Sequence, residues 1–176
     1  MVISLRSICS IAILLSLFSG CSVKKPTGLE SRVKVNRLTK MIVDLDRGIN
    51  HQEANDLARS SIYYVQNLIT EYDLVSPPLW QNALVNMGLK ERGLCYQWAN
   101  DLYHYLKIKK YQTLKLHYVG ANISTYKEHN ALSVSARDRD INGSILLDAW
   151  RNSGDLLFMK IEKDKKYQWS ERFDME

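Results

Sequence analysis

Cysteine is scarce in this chain, three in 176 residues, and so are proline, also three, and histidine, four. So few cysteines cannot build a disulfide framework. The histidines show no recognised metal-ligand spacing with one another or with a cysteine, so neither a metal nor any other cofactor is expected. Charge of one sign is never concentrated. The formal net charge of +5 is spread through a mixture of Lys, Arg, Asp and Glu. The clusters Lys107-Ile108-Lys109-Lys110 and Lys163-Asp164-Lys165-Lys166 are short and read as solvated loop charge, not as a nucleic-acid footprint. No internal repeat and no low-complexity tract occurs. The one long apolar run, Ile8 to Phe18, is too short to span a bilayer.

That run does carry information. Arg6 precedes it and Ser19-Gly20-Cys21 follows, giving a charged start, a short apolar stretch and a small-residue cleavage site. The junction resembles a bacterial lipoprotein signal, with Phe18 where such signals more often carry Leu. The resemblance implies removal of residues 1–20, lipidation of Cys21 and a lipid anchor worth about 0.8 kcal/mol per buried methylene. Ser22 in place of Asp after the cysteine implies sorting to an outer membrane, facing the periplasm. Residues 21–31, with Lys24, Lys25, Pro26 and Gly28, read as a tether. Residues 32–176 are long enough for a single domain with a real core.

Helical spacing dominates the first half. Arg32 to Asp46 is loosely helical, stopped by Gly48. From Asn50, a capping residue with Glu53 three positions on, Ala54, Leu57, Ala58, Ser61, Val65, Leu68, Ile69 and Tyr72 recur at helical intervals. Ser76-Pro77-Pro78 opens a shorter helix whose Leu79, Trp80, Ala83, Leu84 and Met87 should face one side, with Gly88 as terminator. Another helix is expected from about Leu94 to Lys107, with Cys95, Ala99, Leu102 and Leu106 on one stripe. The period then changes to alternation at Leu114 to Tyr118, Asn130 to Ala136 and Ile145 to Trp150, with a last strand near Leu156 to Ile161. Asp138 to Gly143 and Asn152-Ser153-Gly154 suit hairpin links. Helices first and strands second predict an α+β domain with an antiparallel sheet.

Removal of Cys9 with the signal and lipidation of Cys21 leave Cys95 as the only free thiol, in a compartment where disulfides form readily. Cys95 opens its helix, where unpaired backbone N–H groups and the helix dipole favour an anion. A thiol is a nucleophile when a base takes its proton. His129 opens one strand, and Asp148 lies in the next, so a hairpin can bring imidazole and carboxylate together. On its strand His129 shares a face with Ala131, Ser133 and Ser135, small residues that should admit the approaching helix. His104 and His117 are expected at the surface.

Three segments, Gly93-Leu94-Cys95-Tyr96-Gln97-Trp98-Ala99, Glu128-His129-Asn130-Ala131-Leu132 and Leu146-Leu147-Asp148-Ala149-Trp150, together resemble the papain-like superfamily in its transglutaminase-like branch. The resemblance covers roughly residues 80–169. It implies a nucleophile at Cys95, a general base and acid at His129 and an orienting carboxylate at Asp148. Members of the superfamily act on amide bonds as peptidases, amidases or acyl-transferring cross-linkers, so a peptide or protein substrate is implied, with peptidoglycan peptides the nearest candidates to an envelope anchor. The backbone N–H of Cys95 should supply one oxyanion donor. Papain-like enzymes place a glutamine closer upstream, where Leu89 stands here, so Trp80 or Gln81 is the expected second donor. Residues 122–127 could cover the site as a lid. A second reading stays open: an envelope lipoprotein that uses the same fold for binding or support without catalysis.

Overall fold

The structure, a computed structural model, describes Val23 and residues 25–172. Residues 1–20, expected to be a signal, and Cys21, Ser22 and Lys24 of the expected tether lie outside the described residues. Four α-helices precede five strands among those residues: α1 Gly28–Val43, α2 His51–Glu71, α3 Pro78–Asn86, α4 Cys95–Lys107, then β1 Leu114–Ala121, β2 His129–Ala136, β3 Ile145–Asp148, β4 Leu157–Lys160 and β5 Ser170–Glu171. The α+β class and the antiparallel sheet are as expected, and no described helix is long and apolar enough to cross a membrane.

Local chemistry explains where the helices start. α1 begins within the stretch expected to be tether, because Thr27 and Glu30 form a capping box: the Glu30 amide donates to Thr27 Oγ1 at 3.3 Å and the Thr27 amide to Glu30 Oε2 at 2.7 Å. Asn50 caps α2 by accepting from the amides of Gln52 and Glu53. Glu53 does not return the bond. Its carboxylate accepts from the amides of Gln112 and Thr113 at 2.6 and 2.8 Å, pinning α2 to the entrance of β1.

α3 departs from the expected pattern. Leu79, Trp80 and Met87 are exposed, and the residue it buries is the polar Gln81. Gly88, with φ of +72°, ends the helix as expected.

β2 is the central strand, in a sheet ordered β4-β3-β2-β1-β5. All its residues are buried. Tyr118, Leu132, Val134, Ile145, Leu147 and Phe158 pack with α2 and α4 in the main core, where Leu102 and Leu106 each contribute roughly 1.5–3 kcal/mol by burial. The opposite face carries Val119, Ala131 and Leu146 under Ile161, Met159 and Trp169. The small residues of β2 therefore do not receive a helix, as the sequence suggested, but the C-terminal segment. Helix α4 packs on the Leu132 and Val134 face because those larger side chains fill the space between helix and sheet.

His117 is another correction. It is buried, with Nδ1 2.5 Å from Glu171 Oε1 and Nε2 2.8 Å from Ser135 Oγ. Those partners replace the water that a surface imidazole would have kept. The ring ties the two-residue strand β5 to the sheet.

A candidate active site at the start of helix α4

The loop before α4 is fixed by amides. Gln97 Oε1 accepts from Gly93 N at 2.8 Å and Leu94 N at 2.9 Å, Trp98 Nε1 donates to Gly93 O at 3.1 Å, and Gln81 Nε2 donates to Arg92 O at 2.7 Å. Gly93 has φ of +130°, and a Cβ there would meet Gln81 Cγ at 2.5 Å. Only glycine fits both the backbone and the space. Cys95, the one cysteine among the described residues, follows as the first residue of the helix, half-buried and with a free thiol. In the first turn the amides of Gln97 and Trp98 donate to Leu94 O at 3.0 and 3.2 Å, which leaves those of Cys95 and Tyr96 as the ones without an acceptor within the helix.

His129 starts β2 and Asp148 ends β3. Leu132 pairs with Leu147 across these antiparallel strands, and continuing that register sets Asp148 opposite Ala131, two residues from His129 on the same face. His129 Nε2 accordingly lies 2.7 Å from Asp148 Oδ2, with both residues buried. Nδ1 is the nitrogen left for sulfur, and it makes no hydrogen bond of ordinary geometry. The Cys95 thiol donates instead toward Glu128 O at 3.8 Å, one residue before the histidine. Cys95, His129 and Asp148 are thus brought together from three separate elements.

Burial alone would push the imidazole down. The hydrogen bond to Asp148, the neighbouring Cys95 sulfur and the negative charge of both outweigh it and raise His129 to about 9. Asp148 is fully buried and surrounded by donors: Oδ2 also accepts from Arg151 Nε at 3.0 Å, while Oδ1 accepts from the amides of Trp150 and Arg151 at 3.1 and 3.0 Å. Four donors on one carboxylate hold it in a fixed orientation.

Several contributors escape a sequence reading. Arg151 continues from Asp148 to Asp164, its Nη1 and Nη2 donating to the two carboxylate oxygens at 3.2 and 2.6 Å. Asp164 sits inside the run expected to be solvated loop charge, yet its side chain is only 2% exposed. The lysines around it are exposed, so only the polar run was legible. Rings of Trp150, Tyr167 and Trp169 lie 4.9, 4.8 and 5.4 Å from the His129 ring and wall it off from water. Arg151 also stacks on Tyr167, 4.9 Å from its ring centre.

Gln81, one expected oxyanion donor, is spent elsewhere: its Nε2 donates to Tyr72 O and Arg92 O, and its Oε1 accepts from Val75 N. Its backbone partners explain why a polar side chain is buried there. Asn82, the next residue, accepts from Trp150 Nε1 at 3.0 Å and so reaches the ring that packs on His129. Trp80, the other expected donor, is an exposed side chain. Residues 122–127 form an exposed turn tied down by Glu128, whose Oε2 accepts from Ser124 N at 2.8 Å.

The arrangement can hold a positive imidazole between a sulfur atom and a carboxylate, beside the open N–H groups of a helix start. No protein-family model, curated protein or solved structure matches this chain.

Proposed function

We propose that the chain is a cysteine enzyme that attacks amide carbonyls through Cys95, on a papain-like core of the transglutaminase-like kind. The observation that carries this reading is His129 set between Cys95 and a buried Asp148 that it meets at 2.7 Å. At neutral pH the imidazole is protonated and its charge lies beside the sulfur. The thiolate adds to the carbonyl carbon, and the oxyanion forms against the Cys95 N–H. His129 then gives its proton to the leaving amine as the C–N bond breaks, leaving a thioester on Cys95. Water or a second amine, losing a proton to His129, attacks that thioester and releases acid or new amide. Asp148 keeps the ring aligned and stabilises its positive form. Asn82 replaces Gln81 as the upstream side chain proposed to offer the second oxyanion donor, because its carbonyl oxygen is engaged by Trp150.

The lipoprotein-like junction at Cys21 adds the proposed setting: anchorage by lipid in the bacterial envelope, with peptides or proteins there as substrates, peptidoglycan peptides among them. Replacing Cys95 by Ala should leave the circular dichroism spectrum unchanged and abolish amine release and acyl transfer from peptide substrates. Turnover retained in that variant would overturn the reading.

The thiol's bond toward Glu128 O favours one competitor, a binding lipoprotein in which the triad is vestigial. Iodoacetamide separates the two. An enzyme predicts Cys95 alkylation that persists at acidic pH and slows by at least about tenfold in His129→Ala; equal and ordinary rates in both proteins would support the binding lipoprotein.

A further inference from the structure

Beyond Cys95, His129, Asp148 and Asn82, the site contains a second buried ion pair that shares an atom with the first. Asp148 Oδ2 accepts from both His129 Nε2 at 2.7 Å and Arg151 Nε at 3.0 Å. The guanidinium then forks onto both oxygens of Asp164, which takes further bonds from Lys166 N at 2.9 Å and Trp169 Nε1 at 3.0 Å. The side chains of Asp148, Arg151 and Asp164 are 0, 13 and 2% exposed, so solvent screens them weakly.

A fork of this kind is more than a structural tie. An arginine that neutralised Asp148 alone would draw the carboxylate's charge away from the imidazole. An arginine itself neutralised by a second carboxylate keeps the geometry while returning most of that charge to His129. Asp164 is held in the ionised form that this requires. Burial pushes its carboxyl up, but the Arg151 fork, the Lys166 amide and the Trp169 indole bring it below the ordinary range. Arg151 is likewise held charged, by Asp164 and Asp148 against burial. Charged groups facing His129 are Cys95 from α4, Asp148 from β3 and, through Asp148, Arg151; Tyr167 faces it as a ring, and the Glu128 carboxylate is turned to Arg172 and Asn130.

We propose that Arg151 and Asp164 are positioning residues that act through Asp148, the first fixing the carboxylate's orientation and the second setting how much of its charge reaches His129. The proposal rests on the enzymatic reading for its purpose, but its test does not need a substrate.

The test follows the His129 ring by NMR in the full-length protein in detergent, labelled with 13C-histidine, through a pH titration. Asp164→Asn keeps the size of the side chain and leaves Arg151 uncompensated, so the His129 midpoint should fall by roughly one unit. Arg151→Met removes the competing cation, so the midpoint should rise by a similar amount. Arg151→Lys keeps the charge but loses the fork. Its midpoint should stay nearer to that of the unaltered protein than Arg151→Met does. Opposite signs for the first two variants would establish the proposal, since a merely structural role moves both the same way. Shifts of the same sign, or an Asp164→Asn midpoint within about 0.3 unit of the unaltered protein, would overturn it. Should Arg151→Met not fold, Asp164→Asn decides alone, by the presence or absence of its fall. Shifts of the expected sign in a protein that turns over no amide would leave the proposal standing and remove the enzymatic reading; turnover without the shifts would do the reverse.

Discussion

Gly93 and Gln81 decide how the thiol is presented. The glycine's φ of +130° brings Arg92 O to Gln81 Nε2 and the Gly93 amide to Gln97 Oε1, and the helix can then begin at Cys95. An alanine there would have to leave that backbone region or push Gln81 aside, its Cβ lying 2.5 Å from Gln81 Cγ and 2.9 Å from Nε2. Gly93→Ala should therefore lower stability by at least about 2 kcal/mol in urea unfolding and weaken Cys95 reactivity with it. A loss under about 0.5 kcal/mol would show that the loop has a second, unstrained conformation. Residue types at this scale were legible where the chemistry demands them: Cys95, His129 and Asp148 stand out in the sequence as a thiol, an imidazole and a carboxylate, and the fold brings the three together. Arg151 and Asp164 were not, because an Arg in a turn and an Asp among lysines look like surface residues until their burial is known.

Elements were legible wherever period and caps agreed. α2 has its apolar stripe and its Asn50 cap, and both appear in place. The start of α1 is masked by the polar composition of residues 22–30, in which one Thr-x-x-Glu signature is its mark. Thr27→Ala should cost about 1 kcal/mol, measurable as a lowered urea midpoint; no change would mean that packing alone starts α1. At the other end, β5 consists of two residues, too few to hold themselves by ladder bonds. Ser135 Oγ lies within hydrogen-bond distance of Ala136 O, Arg139 O and His117 Nε2, while His117 Nδ1 faces Glu171. No periodicity rule could find that tie, because its partners lie on β1, β2 and β5. His117→Leu should loosen the strand and speed hydrogen exchange of the Arg172 amide, which donates to Tyr118 O, by roughly tenfold or more. Unchanged protection would place the hold on β5 elsewhere, at the Arg172 pair with Glu128.

For the whole molecule, the helices and the C-terminal segment divide the sheet between them, and His129 lies where the two layers meet. Its even-numbered neighbours Leu132 and Val134 face the helices, while Ala131 faces Val119, Leu146 and Ile161. The alternation was legible; which layer covers which face was not, because a C-terminal run holding Trp169 among charged residues gives no periodic signal. This burial links the site to global stability. An imidazole at about 6.5 when unfolded is raised to about 9 when folded, so the native state binds the proton more tightly. The stabilisation is complete below about pH 6.5 and is lost as pH rises through about 9. Urea midpoints should therefore fall over that interval, and His129→Gln, which has no proton to lose there, should flatten the decline while lowering stability at pH 6. An equal slope in both proteins would mean that the His129 proton is not bound more tightly in the folded chain, and that no positive charge is held between Cys95 and Asp148 at neutral pH.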